Sequence, residues 1–77
     1  MTNERLPRLT TAEVIRVLER VGFFPVRQRG SHKLCKNEEG KRVTVRYHAG
    51  RILHPKVLKS ILRDAELTVR ELKELLR

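Results

Sequence analysis

Along residues 11–21 apolar side chains return every three or four positions, at Val14, Ile15, Leu18 and Val21, with Glu13, Arg16, Glu19 and Arg20 between them. That period is helical, because residues three and four apart share one face of a 3.6-residue helix. Thr10-Thr11-Ala12-Glu13, at the head of the stripe, reads as a capping box. Its Thr hydroxyl accepts from a first-turn N–H while the Glu reaches back to the cap. Gly22 follows the stripe and supplies a left-handed terminator, so a first helix is predicted over about 11–21.

Past Gly22 the period drops to two. Phe24 and Val26 alternate with Pro25 and Arg27, and Pro25, with no N–H to give a ladder, confines this strand to an edge. Gly30 breaks it. A second strand is predicted over about 31–37, then Glu38-Glu39-Gly40 as a short hairpin connection with Gly at a positive φ. The third strand alternates most clearly, with Val43, Val45 and Tyr47 on one face and Arg42, Thr44 and Arg46 on the other. The second strand leaves its parity open: Leu34 inward turns His32 toward the helices, whereas Cys35 inward turns it to the opposite face.

His48-Ala49-Gly50-Arg51 reads as a loop, and His54-Pro55 opens a second helix, with Pro at the first helical position where its missing N–H costs little. Val57, Leu58, Ile61, Leu62 and Ala65 form its buried stripe. Thr68-Val69-Arg70-Glu71 repeats the capping-box pattern and starts a short third helix with Val69, Leu72 and Leu75 or Leu76 inward.

The predicted order is therefore α-β-β-β-α-α, an α+β fold in which a three-stranded antiparallel sheet carries its helices on one face. Residues 1–9, polar and basic with Pro7 among them, read as a flexible lead-in, and residues 10–77 as a single domain. The second sheet face is left to solvent and would hold Arg27, Arg29, Arg42, Thr44 and Arg46. Phe23, Phe24 and Tyr47, the three aromatic residues, are read as core.

Charge gives that open face a meaning. The chain carries a formal net charge of +9, and residues 23–56 hold nine Lys/Arg against two acids. A polyanion, most simply a nucleic acid, is the partner such a distribution attracts. The single cysteine, Cys35, cannot form an internal disulfide and lacks the companions of a Cys/His metal site, so neither metal nor cofactor is expected. There is no apolar run of membrane-spanning length and no export signal at the start; a soluble, cytoplasmic protein is expected.

Gly30-Ser31-His32 lies at the turn between the first two strands, with Arg27, Arg29 and Lys33 around it. An imidazole among phosphate-binding cations suits RNA chemistry. Cleavage through the 2′-OH needs a base for its proton and an acid for the leaving 5′-oxygen, and His can serve as either. On spacing alone, a plain phosphate contact or a strand-end cap is the plainer reading of His32, and a hydrogen bond to phosphate or backbone that of Ser31. His48 reads as a complementary acid, a phosphate ligand or a loop-shaping residue. His54 reads as a helix cap. Lys56 and Lys59 fit either phosphate binding at the start of the second helix or a solvated basic face.

Taken in order, Val26-Arg27-Gln28-Arg29-Gly30-Ser31-His32, Val43-Thr44-Val45 and His48-Ala49-Gly50-Arg51-Ile52-Leu53 resemble the HicA/YcfA-like toxin family. So do the Gly22-Phe23 step, the run Val57–Ala65 and Leu67-Thr68, and the likeness spans about residues 11–76. The resemblance implies a fold similar to the double-stranded-RNA-binding domain and metal-independent mRNA cleavage, with His32 in the place of the catalytic histidine. It also implies neutralisation by a HicB-like antitoxin, with a monomer when alone and a hetero-complex with that partner. Arg46 departs from the pattern, which often has Pro there. The residues on their own also allow a non-catalytic double-stranded-RNA-binding module using the same basic face for A-form shape and phosphate contacts, or a basic surface that docks an acidic partner.

Overall fold

Thr10 opens α1, Thr11–Arg20, with the reciprocal cap its sequence calls for: its hydroxyl accepts from the Glu13 N–H, and the Glu13 carboxylate accepts from the Thr10 N–H. The helix ends in a Schellman motif. The Phe23 N–H donates to the Leu18 carbonyl at 2.9 Å and the Gly22 N–H to Glu19 at 3.1 Å, with Gly22 at φ 92. This closure drops Phe23 into the core, where it is 3% exposed, and sends the chain into the sheet.

The computed structural model describes residues 5–48 and 50–77. The sheet is an antiparallel meander of β1, Phe24–Arg29, β2, His32–Lys36, and β3, Arg42–Arg46, with β2 in the centre. Residues 37–41 join the last two strands, with a turn closed by the Gly40 N–H on the Asn37 carbonyl and Gly40 at φ 85. Further on come α2, Pro55–Asp64, and α3, Val69–Leu75. The order α-β-β-β-α-α and the α+β class are those expected.

Cys35, Val43 and Val45 are fully buried beneath Val14, Leu18, Leu58, Ile61 and Leu62, so both long helices cover one face of the sheet. Each such side chain contributes roughly 1.5–3 kcal/mol by leaving water. The third helix closes the far side of α1: Leu72 is buried, Leu75 rather than Leu76 packs on the core, and the Arg20 guanidinium donates to the Leu75 carbonyl. Thr68 and Glu71 form the second capping box as expected.

Four placements differ from the sequence reading. Leu9 is 4% exposed and Leu6 packs against the core, so part of the lead-in belongs to the packed domain; residues 1–4 of it lie outside the described residues. The tie is a backbone one, since the Leu53 N–H donates to the Leu9 carbonyl and Thr10 bridges Ile52. Val57 is 40% exposed and Phe24 is 55% exposed instead of buried. Val57 lines an open cleft with Ile52 and Leu53. Phe24 is turned outward by an irregularity in β1. Pairing runs Phe24 to Lys36 and Pro25 to Cys35, then skips Val26 and resumes with Arg27 opposite Leu34. A bulge of this kind sets two residues against one and shifts the parity of everything before it.

Candidate nucleic-acid interface

Cross-strand partners point to the same face of a sheet, which turns the register into a map. Cys35 faces the helices, opposite Val43, and this settles the parity of β2: His32, Leu34 and Lys36 face away from them. Three rows then cross the open face. Arg29, His32 and Arg46 form the first, Arg27, Leu34 and Thr44 the second, and Phe24, Lys36 and Arg42 the third. All of these are exposed except Leu34, which is half-buried.

The first row is the one of chemical interest. His32 begins the central strand, with Arg29 directly opposite on β1 and Arg46 directly opposite on β3. Directly opposed residues have Cβ atoms about 4.5–5.5 Å apart, so an arginine flanks the histidine on each side. The turn that sets this up is two residues long, Gly30 and Ser31, with Gly30 at φ 59. Positive φ at the first of two loop residues is the requirement of a type II′ hairpin, which glycine meets without strain. Ser31 uses its backbone carbonyl to accept from the Tyr47 N–H, and Gln28 caps the turn by donating to the Gly30 carbonyl.

Arg46 also borders a second feature. An open cleft of about 200 Å³ is lined by Arg46, His48, Arg51, Ile52, His54 and Val57 among others. The His48 backbone carbonyl accepts from the buried Thr11 hydroxyl and from the Arg51 N–H, while the residue itself is exposed. His54 is the N-cap of α2, its Nδ1 accepting from the Lys56 N–H at 3.1 Å, as its place before Pro55 suggested. Lys56 and Lys59 are both exposed and, three residues apart, share one side of α2.

Of the residues singled out in the sequence, Arg27, Arg29, His32 and Arg46 are therefore brought onto one face. His48 is connected to them through Arg46, with which it lines the cleft, and Lys56 and Lys59 are not among the residues that line it. Lys33 is not brought there. It is paired with the buried Val45, on the opposite face from His32, with its Nζ 4.4 Å from the Tyr47 ring centroid, a cation–π contact. The geometry adds three residues that sequence reasoning did not place at the site: Phe24 and Lys36 on the sheet and Arg51 in the cleft. Charge would have suggested Lys36 and Arg51; nothing in the sequence announced Phe24.

The family model for the HicA toxin of bacterial toxin-antitoxin matches residues 11–67. The chain belongs to the HicA toxin family. The match runs from the first residue of α1 to just past α2, so it includes the whole sheet and the Gly30-Ser31-His32 turn. No curated protein sequence matches the chain. Membership makes this HicA-family chain the toxin of a toxin–antitoxin pair and gives it an antitoxin partner. No helix among the described residues is long and apolar enough to cross a membrane.

Proposed function

We propose that this HicA-family toxin is a metal-independent endoribonuclease that cleaves mRNA in the cytoplasm, with His32 as its catalytic residue. The observation that carries the reading is the first row of the open face, an exposed histidine on the central strand with an arginine paired opposite it on each side. RNA supplies its own nucleophile. The 2′-oxygen attacks the adjacent phosphorus, the bond from phosphorus to the 5′-oxygen breaks, and a 2′,3′-cyclic phosphate and a 5′-hydroxyl result. One proton leaves the 2′-OH and one arrives at the 5′-oxygen, and His32 performs one of these transfers. Arg29 and Arg46 hold the phosphate and offset the charge that builds on its oxygens in the transition state.

His48 is the second proton-transfer group in this proposal, reached through Arg46, with which it shares the cleft. Arg27, Lys56 and Lys59 extend the phosphate contacts, and the Ser31 hydroxyl adds a hydrogen bond at the turn. A HicB-like antitoxin would neutralise the toxin by covering the cationic face, and the toxin alone would be a monomer.

Controlled expression of the parent chain and of His32→Ala, reading growth and transcript integrity together, tests the proposal. The parent should arrest growth and fragment mRNA, while the variant should accumulate as folded protein and do neither. Transcript loss that persists with His32→Ala would remove His32 from the mechanism. Intact transcripts in arrested cells making the parent chain would favour a toxin that binds RNA without cutting it.

A further inference from the structure

We infer that the open sheet face is a track for single-stranded RNA, with Phe24 stacking a base at one end and His32 meeting the scissile phosphate at the other. This rests on the reading that the face receives RNA, but it adds the strandedness of the substrate and a residue to hold it. Phe24 is 55% exposed, a large apolar side chain on a surface otherwise rich in cations. The bulge at Val26 puts it there. Without the skipped residue, Phe24 and Arg27 would fall on opposite faces; with it, Phe24, Arg27 and Arg29 all share the face of His32.

The rows have an order that suits one strand. Phe24, opposite Lys36, and half-buried Leu34, opposite Thr44, lead toward His32, so apolar groups run diagonally across the face. Cations stand on both flanks, Arg27 and Arg29 on β1 and Arg42 and Arg46 on β3. From Lys36 to His32 the central strand covers roughly 13 Å, the length of a short stretch of extended strand and more than a single nucleotide. Aromatic rings on a basic sheet bind nucleic acid when bases are unstacked and can lie on them, which a duplex does not allow. Phe24 also borders a cleft of about 220 Å³ at the end of α1, whose other lining residues are Val21, Gly22, Asn37, Glu38 and Glu39. Those carboxylates would repel a phosphate but accept hydrogen bonds from a base amino group, so the base and not the backbone belongs at this end.

Binding should be measured with a short 2′-O-methylated RNA, which has no nucleophile and stays intact, both single-stranded and as a hairpin duplex. Phe24→Ala should weaken single-strand binding about tenfold and leave duplex binding unchanged, while Phe24→Tyr keeps near-parent affinity. The slope of affinity against salt should be the same for Phe24→Ala as for the parent, whereas Arg27→Ala should lower it by about one, because only a lost phosphate contact changes counterion release. Parent-like single-strand affinity in a folded Phe24→Ala chain overturns the inference. So does an equal loss on single strand and duplex, or a loss of antitoxin binding with RNA binding intact, which would assign Phe24 to the protein partner. Failure of His32 to cut RNA shows separately, because this assay requires no cleavage.

Discussion

Glu66 stands at φ 58, the only non-glycine residue at positive φ among those described. It occupies the same place after α2 that Gly22 holds after α1: the Leu67 N–H reaches back to Leu62 at 2.8 Å and the Glu66 N–H to Arg63 at 3.1 Å. A side chain there crowds its own backbone, and the ion pair of the exposed Glu66 with half-buried Lys41 recovers little of that in water. Glu66→Gly should therefore raise the thermal midpoint, with a stabilisation on the order of 0.5–1 kcal/mol; a lowered midpoint would show that the ion pair outweighs the strain. Cys35 gives a second residue-scale test. It is fully buried, and burial, helped by nearby Glu19, pushes its thiol above the usual range. The thiolate is the reactive form, so an alkylating reagent should leave Cys35 unmodified in the native protein at neutral pH and label it once denaturant is added. Rapid native labelling would contradict the packing of the sheet on the helices.

At the scale of elements, the start of α1 carries a pH dependence. The Glu13 carboxylate accepts from the Thr10 N–H at 2.9 Å and from the Thr10 hydroxyl at 3.0 Å, and these bonds, with Arg16 beside it, hold it below the ordinary glutamate range. A group depressed in the folded state stabilises the fold above its unfolded value, and that contribution is lost as acid protonates it. Glu13→Gln should thus flatten the acid limb of the stability profile as the pH falls from neutral through and below the ordinary glutamate range, measured by urea unfolding. An acid limb as steep as the parent's would mean that the cap does not form. Both capping boxes, the Gly22 terminator and the Gly40 turn were legible in the sequence because each is a local contract between residues a few positions apart. Pairing across strands is not local. Leu34 and Cys35 are adjacent and both apolar, so β2 could face either way until its register against Val43 and Val45 chose Cys35. The bulge at Val26 leaves no mark in the sequence, so Phe24 reads as core there, whereas Lys33 sits on the face opposite His32 simply because neighbours on a strand alternate faces.

For the whole molecule, the charge map and the fold agree: the helices occupy one face of the sheet, and the middle of the chain, which carries nine Lys/Arg against two acids, lays most of its strand cations on the other. That much could be read from alternation in β3 alone. The row of Arg29, His32 and Arg46 could not, because it joins residues from three strands and depends on both hairpin registers. Its chemistry is tested most directly with purified protein, a defined single-stranded transcript and EDTA present. The parent should cut the transcript into fragments ending in 2′,3′-cyclic phosphate and beginning with 5′-hydroxyl, and folded His32→Ala should be slower by a factor on the order of 10²–10⁴. Cleavage by His32→Ala at the parent rate, or cleavage abolished by EDTA, would contradict it.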